Sequence, residues 1–316
     1  MPCPITTDPA LAAEVIRRGG LVALPTETVY GLGANAWNGE AVAGIFAAKE
    51  RPSFDPLIVH LPSIDVINQV ASSVPPRAEL LAKKIWPGPL TLVLPKQPAV
   101  SDLVTSGLST VGVRVPRHPL MRAVLELAGV PIAAPSANRF GRLSPTTAEH
   151  VFDQLGDRID LILNGGPCAL GVESTIVHID GDITTVLRPG GLPVEAIAEI
   201  VGPVDIATGS SDRPTAPGML ASHYAPRTPI EIVTTPPAVP AGAKWGWLQF
   251  TPGEASGYAV IETLSESGRL EEAAANFFAA LHRLDRAGLD RILATPFPDH
   301  GLGRALNDRL RRAATR

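Results

Sequence analysis

"PTETVYGLGANA", Pro25 to Ala36, follows the short apolar run "LVAL" and precedes "WNGEAVAGIFAAKERP". Two readings compete for it, and they imply different folds. Gly31, Gly33 and Ala36 fit G-x-G-x-x-[GA], and Glu50 stands about where a ribose-binding acid would. In a dinucleotide-binding unit the glycines follow the strand directly and open the helix. Here "PTETVY" intervenes, and Asn38-Gly39 interrupts before the next helix begins. The dinucleotide interpretation is therefore disfavoured, and a P-loop is absent. What remains is too polar for a buried strand and too irregular for a helix face. It reads as a turn, or as the mouth of a binding site.

Outward from this stretch, strand and helix patterns alternate. "ALAAEVIRRGG" is an amphipathic helix stopped by Gly19 and Gly20. Downstream, "GEAVAGIFAAKE" reads as a helix and "PLIVHL" as a strand. Helical segments follow near 64–71 and 76–86, then the strands "LTLVLP" and "TVGVRVP". "PLMRAVLELAG" (helix), "VPIAAP" (strand), "TTAEHVFDQLG" (helix) and "LILN" (strand) continue the pattern. "STIVHI" and "ITTVLR" flank Asp180-Gly181, a hairpin signal. The hairpin and adjacent strands exclude a purely parallel sheet. The pattern predicts an α/β domain with a twisted, mixed sheet over residues 1–205. Residues 206–229 have the composition of a linker, yet contain "HYAP", an aromatic-histidine pair that a passive linker does not need. Residues 230–316 restart the alternation as a small α/β domain.

Composition narrows the function. Apolar residues make up 45% of 316, enough for a sizeable core. A net charge of −4, from 27 basic and 31 acidic residues, argues against a protein built to coat nucleic acid. Two distant cysteines and scattered histidines support neither a disulfide framework nor a protein-held metal. No apolar run reaches membrane-spanning length and no signal peptide is evident, so a soluble cytoplasmic protein is expected.

Several residues invite chemistry. Lys49 and Arg51 sit at a predicted helix C-terminus, where cations complement the helix dipole; that bland reading leads over a phosphate clamp on sequence logic alone. His60 ends a strand, where a lone histidine is more often structural. Arg114, inside a strand of apolar and small residues, needs a carboxylate or phosphate partner if buried. "APSAN" (134–138), "GVEST" (171–175) and Arg188 place hydroxyls, an amide and a cation at strand ends, which suits a ligand crevice or an ordinary polar turn. Their sum is a set of polar strand ends without an obvious protein nucleophile.

The ordered set "PTETVYGLGANA", "AKERP", "PLIVH", "WPGPLTLVL", "STVGVRVP", "PIAAPSAN", "SPTTAEHV", "GVESTIV" and "VLRPG" resembles the YrdC-type domain. With "APGMLASHYAP" and a following α/β unit, the chain resembles the long two-domain form of threonylcarbamoyl-AMP synthase. The resemblance implies a YrdC-type twisted mixed sheet with a large concave cleft, a linker, and a small Rossmann-like domain. It also implies a reaction: L-threonine, bicarbonate and ATP give threonylcarbamoyl-adenylate and pyrophosphate. A partner transferase then modifies the adenosine beside a tRNA anticodon; direct tRNA contact with this chain is left open. Carried over by motif position, Thr26, His60, Arg114 and Ser174 are expected to bind threonine. Lys49 and Arg51 would hold phosphates, reversing the dipole reading, and act as the catalytic cations. Thr110, Ser136, Asn138, Ser144, Arg188 and Tyr224 would surround the nucleotide, with His223 and Tyr224 as a lid. Mg²⁺ would arrive with ATP. The chain departs from the family pattern at Phe140, where a small serine is common, and at Leu220-Ala221-Ser222. The alternatives are a carbamoyl-adenylate-forming enzyme using carbamoyl phosphate, and a non-catalytic RNA-binding module. The second domain offers no motif for chemistry; its expected role is to anchor the lid.

Overall fold

A computed structural model describes residues 3–207, 216, 218–220, 222–253 and 255–315. Much of the linker, including Ala221 of the Leu220-Ala221-Ser222 departure, lies outside the described residues. The first unit contains β1 (Ile5–Thr6), α1 (Pro9–Arg17), β2 (Val22–Leu24), β3 (Gly31–Asn35), α2 (Gly39–Lys49) and β4 (Ile58–His60). A 3₁₀ helix (Ile64–Gln69) stands where a helical segment is expected near 64–71. Then come α3 (Pro76–Ile85), β5 (Leu90–Pro95), α4 (Asp102–Thr105), β6 (Thr110–Arg114), α5 (Pro119–Ala128) and β7 (Ile132–Ala133). The unit closes with α6 (Ala148–Leu155), β8 (Leu161–Leu163), β9 (Thr175–Asp180), β10 (Ile183–Arg188), α7 (Val194–Val201) and β11 (Asp205–Ile206).

These strands form one mixed sheet of 11, ordered β1-β8-β2-β3-β7-β4-β6-β5-β9-β10-β11. "GLGANA" is a strand within it: β3 runs antiparallel to β2, with Leu24 opposite Gly31. Its small residues reflect crowding, since a Cβ on Gly33 would meet Leu24 Cδ1 at 2.6 Å. The Asn38-Gly39 interruption is the N-cap of α2, the Asn38 side chain accepting from the Glu40 and Ala41 amides. "PTETVY" is thus the connection between two antiparallel neighbours, and all of it is buried.

Strand alternation positions the site. Val59, Val113, Leu92 and Val177 point to the core face, packed with residues of α2, α3 and α7. Ile58, His60, Arg114, Thr91, Val93 and Ile176 lie on the opposite face, which is the floor of a cleft. Ala216 and Met219 of the linker pack onto Ile58, Val93 and Ile176 from above.

The second unit has β12 (Ile230–Ile232), β13 (Trp245–Gln249), β14 (Val260–Thr263), α8 (Leu270–Arg286), β15 (Arg291–Ala294) and α9 (Gly303–Ala314). Its four strands are parallel, ordered β12-β15-β13-β14. Its apolar core does not stop at the linker. Val29 of "PTETVYG", Leu143, Val172 of "GVEST" and Tyr224 belong to the same cluster as Phe277, Phe278 and Leu306. The second unit therefore docks on the motif loops themselves. Among the described residues, no helix is long and apolar enough to cross a membrane.

Candidate active site

The cleft has about 530 Å³ of space between protein atoms. Its wall on the "PTETVYG" side is assembled by hydrogen bonds. Thr26 Oγ1 donates to the Val29 carbonyl at 2.6 Å and accepts from the Thr28 amide at 3.1 Å, which fixes the loop. Thr28 Oγ1 accepts from Arg114 Nη1 at 2.9 Å, and Glu27 Oε1 accepts from Arg114 Nη2 at 2.7 Å. Glu27 Oε2 accepts from the Arg117 amide at 3.0 Å. Glu27 is thus the carboxylate that a buried strand arginine needs, a role its position in the loop did not announce. Burial alone would raise the Glu27 carboxyl, but the Arg114 charge and hydrogen bond outweigh it and hold it below the usual range. His60 is paired in register with Arg114 across β4 and β6. Burial, helped by the Arg114 charge, lowers His60 to about 3, so the ring is neutral near pH 7. Its Nδ1 has no hydrogen-bond partner among the described residues. Ser174 shares a 2.8 Å hydrogen bond with Thr91 on the floor.

The opposite wall is rich in cations. Arg51 Nη2 lies 2.9 Å from Asp55 Oδ2, while its hydrogen bonds go to the Asp55 and Pro56 carbonyls. Arg188 Nη2 donates to the Ser174 carbonyl at 2.8 Å. Lys49 is in the last turn of α2, as the dipole reading requires, but its side chain turns inward and is 1% exposed. Its Nζ donates to the Ser136 carbonyl at 2.5 Å and to the Asn138 carbonyl. Burial, then the neighbouring Arg51 charge, pulls the Lys49 ammonium well below the usual lysine range.

Linker residues close the top. His223 and Tyr224 are both buried, and Tyr224 has a left-handed backbone with φ 62°. Burial, with the charges of Arg51, Lys49, Arg188 and Arg309, keeps His223 neutral. Gly218 has φ +77°, and a Cβ there would stand 2.5 Å from Tyr224 Oη and 2.9 Å from Arg188 Nη1. Only glycine fits that contact without displacing the tyrosine or the arginine. Phe140, the departure from the family pattern, meets His223 edge-on at 5.9 Å and 88°. The larger ring therefore supports the lid.

Of the expected site residues, Thr26, Arg51, His60, Arg114, Ser136, Ser174, Arg188, His223 and Tyr224 line this cleft. Thr110 does not; it lines a smaller adjoining cleft of about 270 Å³, with Thr91 and Ala216. Lys49, Asn138 and Ser144 stand behind the lining. Asn138 Nδ2 braces the Arg139 and Arg142 carbonyls at 2.8 and 3.0 Å. Ser144 Oγ donates to Glu173 Oε1 at 2.5 Å. Missing from the expected set are Glu27, Glu173 and Arg309. Arg309, from α9, donates from Nε to Glu173 Oε2 at 2.7 Å and is fully buried. The second domain thus reaches the cleft, which no motif in its sequence signals.

The family model described as "Telomere recombination" (Sua5–YciO–YrdC) matches residues 14–190. The model described as "Threonylcarbamoyl-AMP synthase, C-terminal domain" matches residues 192–315. The chain is 44% identical to the Bacillus subtilis protein named threonylcarbamoyl-AMP synthase, over 98% of this chain and 94% of that one. It is 43% identical to the Pyrococcus abyssi protein of that name, over 96% and 93% of the two chains. The crystal structure of P. abyssi Sua5 complexed with L-threonine superposes with a TM-score of 0.90 at 42% identity, covering 97% of this chain and 94% of that one. The chain belongs to the Sua5–YciO–YrdC family and carries that family's threonylcarbamoyl-AMP synthase C-terminal domain.

Proposed function

We propose that this protein joins L-threonine, bicarbonate and ATP into threonylcarbamoyl-adenylate, releasing water and pyrophosphate. The observation that carries this is one cleft with two unlike walls, in a chain whose full-length relatives bear the synthase name. On one wall, Arg114 retains guanidinium donors beside small hydroxyls and a neutral imidazole, a setting for a zwitterionic amino acid. On the other, Arg51 and Arg188 line the cleft, with Lys49 behind them, a basic cluster suited to a polyphosphate.

The threonine amine attacks bicarbonate and, with loss of water, forms a carbamate. A carbamate oxygen then attacks the α-phosphorus of ATP, and the bond to the β-phosphate oxygen breaks to release pyrophosphate. No protein nucleophile is required, so positioning and charge stabilisation carry the catalysis. Thr26, His60, Arg114 and Ser174 hold threonine. Arg51, Arg188, Ser136 and Tyr224 surround the nucleotide, while Thr110 fits the outer part of that site through the adjoining cleft. Lys49, Asn138 and Ser144 act from behind, Lys49 through the Ser136 and Asn138 carbonyls that it holds. Mg²⁺ would enter with ATP: Glu173 is held by Arg309 and Ser144, and Asp55 is ion-paired with Arg51, so neither is offered as a protein ligand for it. Once bound, it would offset negative charge on those phosphates. The lid excludes water from a labile carbamate. The adenylate would pass to a separate transferase acting on tRNA. The carbamoyl phosphate alternative is not favoured by relatives that match across both domains.

The test is incubation of the purified chain with ATP, L-threonine and bicarbonate, followed by mass spectrometry for the adenylate. Pyrophosphate release that does not depend on threonine would overturn the proposal.

A further inference from the structure

The C-terminal helix α9 holds the linker at several points. Arg312 Nη1 donates to the Leu220 carbonyl, and Ser222 Oγ donates to the Thr315 carbonyl at 2.7 Å. The His223 amide donates to the Arg312 carbonyl at 3.3 Å. Between these contacts, Arg309 turns into the cleft wall. Its Cζ lies 5.1 Å from the centroid of the Tyr224 ring, its Nε binds Glu173, and its Nη1 binds Asp308 Oδ2 at 2.5 Å. Its Nη2 has no hydrogen-bond partner among the described residues, although the side chain is fully buried. Buried donors are rarely left unmatched where a side chain serves packing alone.

We propose that Arg309 is a positioning residue for the nucleotide half of the cleft: held by Glu173 and Asp308, its flat guanidinium seats the Tyr224 ring and so sets the closed lid over ATP. The geometry is specific to arginine. Two carboxylates grip the edge of a planar cation, which leaves its face for an aromatic ring. A lysine would match the charge but supply neither the fork nor the plane. Through Glu173 the same guanidinium touches "GVEST", so the second domain, the lid and the catalytic sheet meet at one side chain. This assignment rests on the function proposed above.

Two variants test it, each assayed for adenylate formation and for ATP binding by calorimetry. Arg309→Lys keeps a cation beside Glu173. The double variant Arg309→Met/Glu173→Gln removes both charges of that pair, while Asp308 keeps its ion pair with Arg312 at 3.0 Å, so no buried carboxylate is left without a cation. Both are expected to fold and to raise KM for ATP about tenfold, the scale of one desolvated cation–π contact. KM for threonine should stay within about twofold, because Arg114 and its partners are untouched. Unchanged KM for ATP in either variant would overturn the inference, since neutralising Glu173 would then be Arg309's whole role. Equal increases in both KM values would also overturn it, indicating general loosening. If the unsubstituted chain neither binds ATP nor makes the adenylate, the functional proposal fails instead.

Discussion

The two walls of the cleft solve opposite electrostatic problems. On the proposed threonine wall one guanidinium, Arg114, is matched by Glu27 of its own domain, a member of the loop it supports. On the phosphate wall Lys49, Arg51, Arg188 and Arg309 surround His223, with Asp55, Glu173 and Asp308 as counter-charges drawn from both domains. The first wall is preformed and its buried guanidinium is balanced by a carboxylate, which is what the proposed zwitterionic substrate requires. The second buries a cluster of basic side chains around His223 and depends on the linker and α9 to be complete. A self-contained wall and an assembled wall should fail differently.

The largest expected effect is at Lys49. Lys49→Ala should lower kcat/KM by about 10²–10³-fold, the scale of removing one charge-stabilising donor, with the circular dichroism spectrum preserved. Survival of activity would return Lys49 to the dipole role and weaken the case for a charge-rich wall. Next is Arg114→Ala. It strands Glu27, so a stability loss of about 3–5 kcal/mol is expected by denaturant titration. KM for threonine should rise more than KM for ATP; the reverse order would merge the two walls into one.

Gly218→Ala probes the assembled wall without removing a charge. The added methyl collides with Tyr224 and Arg188, so kcat/KM for ATP should fall about tenfold or more, as for misplaced lids, with little change in melting temperature. Acid titration separates the walls from the domain seam. Glu27 and Glu173 are held below the usual range against the upward push of burial, so their contributions are intact above pH 4.5 and are lost as pH falls through their lowered values. His150 and His282 stack across the seam at 3.9 Å, with Arg283, Arg286, Asp285 and Asp153 as charged neighbours. Burial lowers His150 to about 3 and His282 to about 4. Their folded values lie below 6.5, so the stability they confer is complete above pH 6.5 and declines as pH falls toward 4. His282→Asn should flatten the melting-temperature profile between pH 6.5 and 4; an unchanged slope would place the loss elsewhere. The smallest effect is expected for Phe140→Ser, which removes an edge contact worth about 0.5–1.5 kcal/mol. KM for ATP should rise a few-fold in a steady-state assay.

Most elements were legible because periodicity is local. The exceptions have physical reasons. β3 carries glycines at 31 and 33, since neighbouring side chains fill the space a larger residue would need, and it therefore imitates a phosphate-binding loop. "PTETVY" looks too polar to bury, yet its hydroxyls and carboxylate are satisfied by one another, by backbone and by Arg114. β1, β11 and α4 are too short to carry a pattern.

By itself the sequence determined the alternating α/β architecture, because strand and helix periods are written in adjacent positions; the candidate site residues followed from motif resemblance, since local pattern alone favoured a dipole role for Lys49 and Arg51 and a structural one for His60. Only the tertiary structure decided that Glu27 serves Arg114, that Lys49 turns inward, that Thr110 opens on a neighbouring cleft, and that Arg309 reaches Glu173 across 136 residues of chain. Those choices depend on which charges burial leaves without water. Such a group takes the nearest partner in space, and spacing along the chain does not say which partner that is.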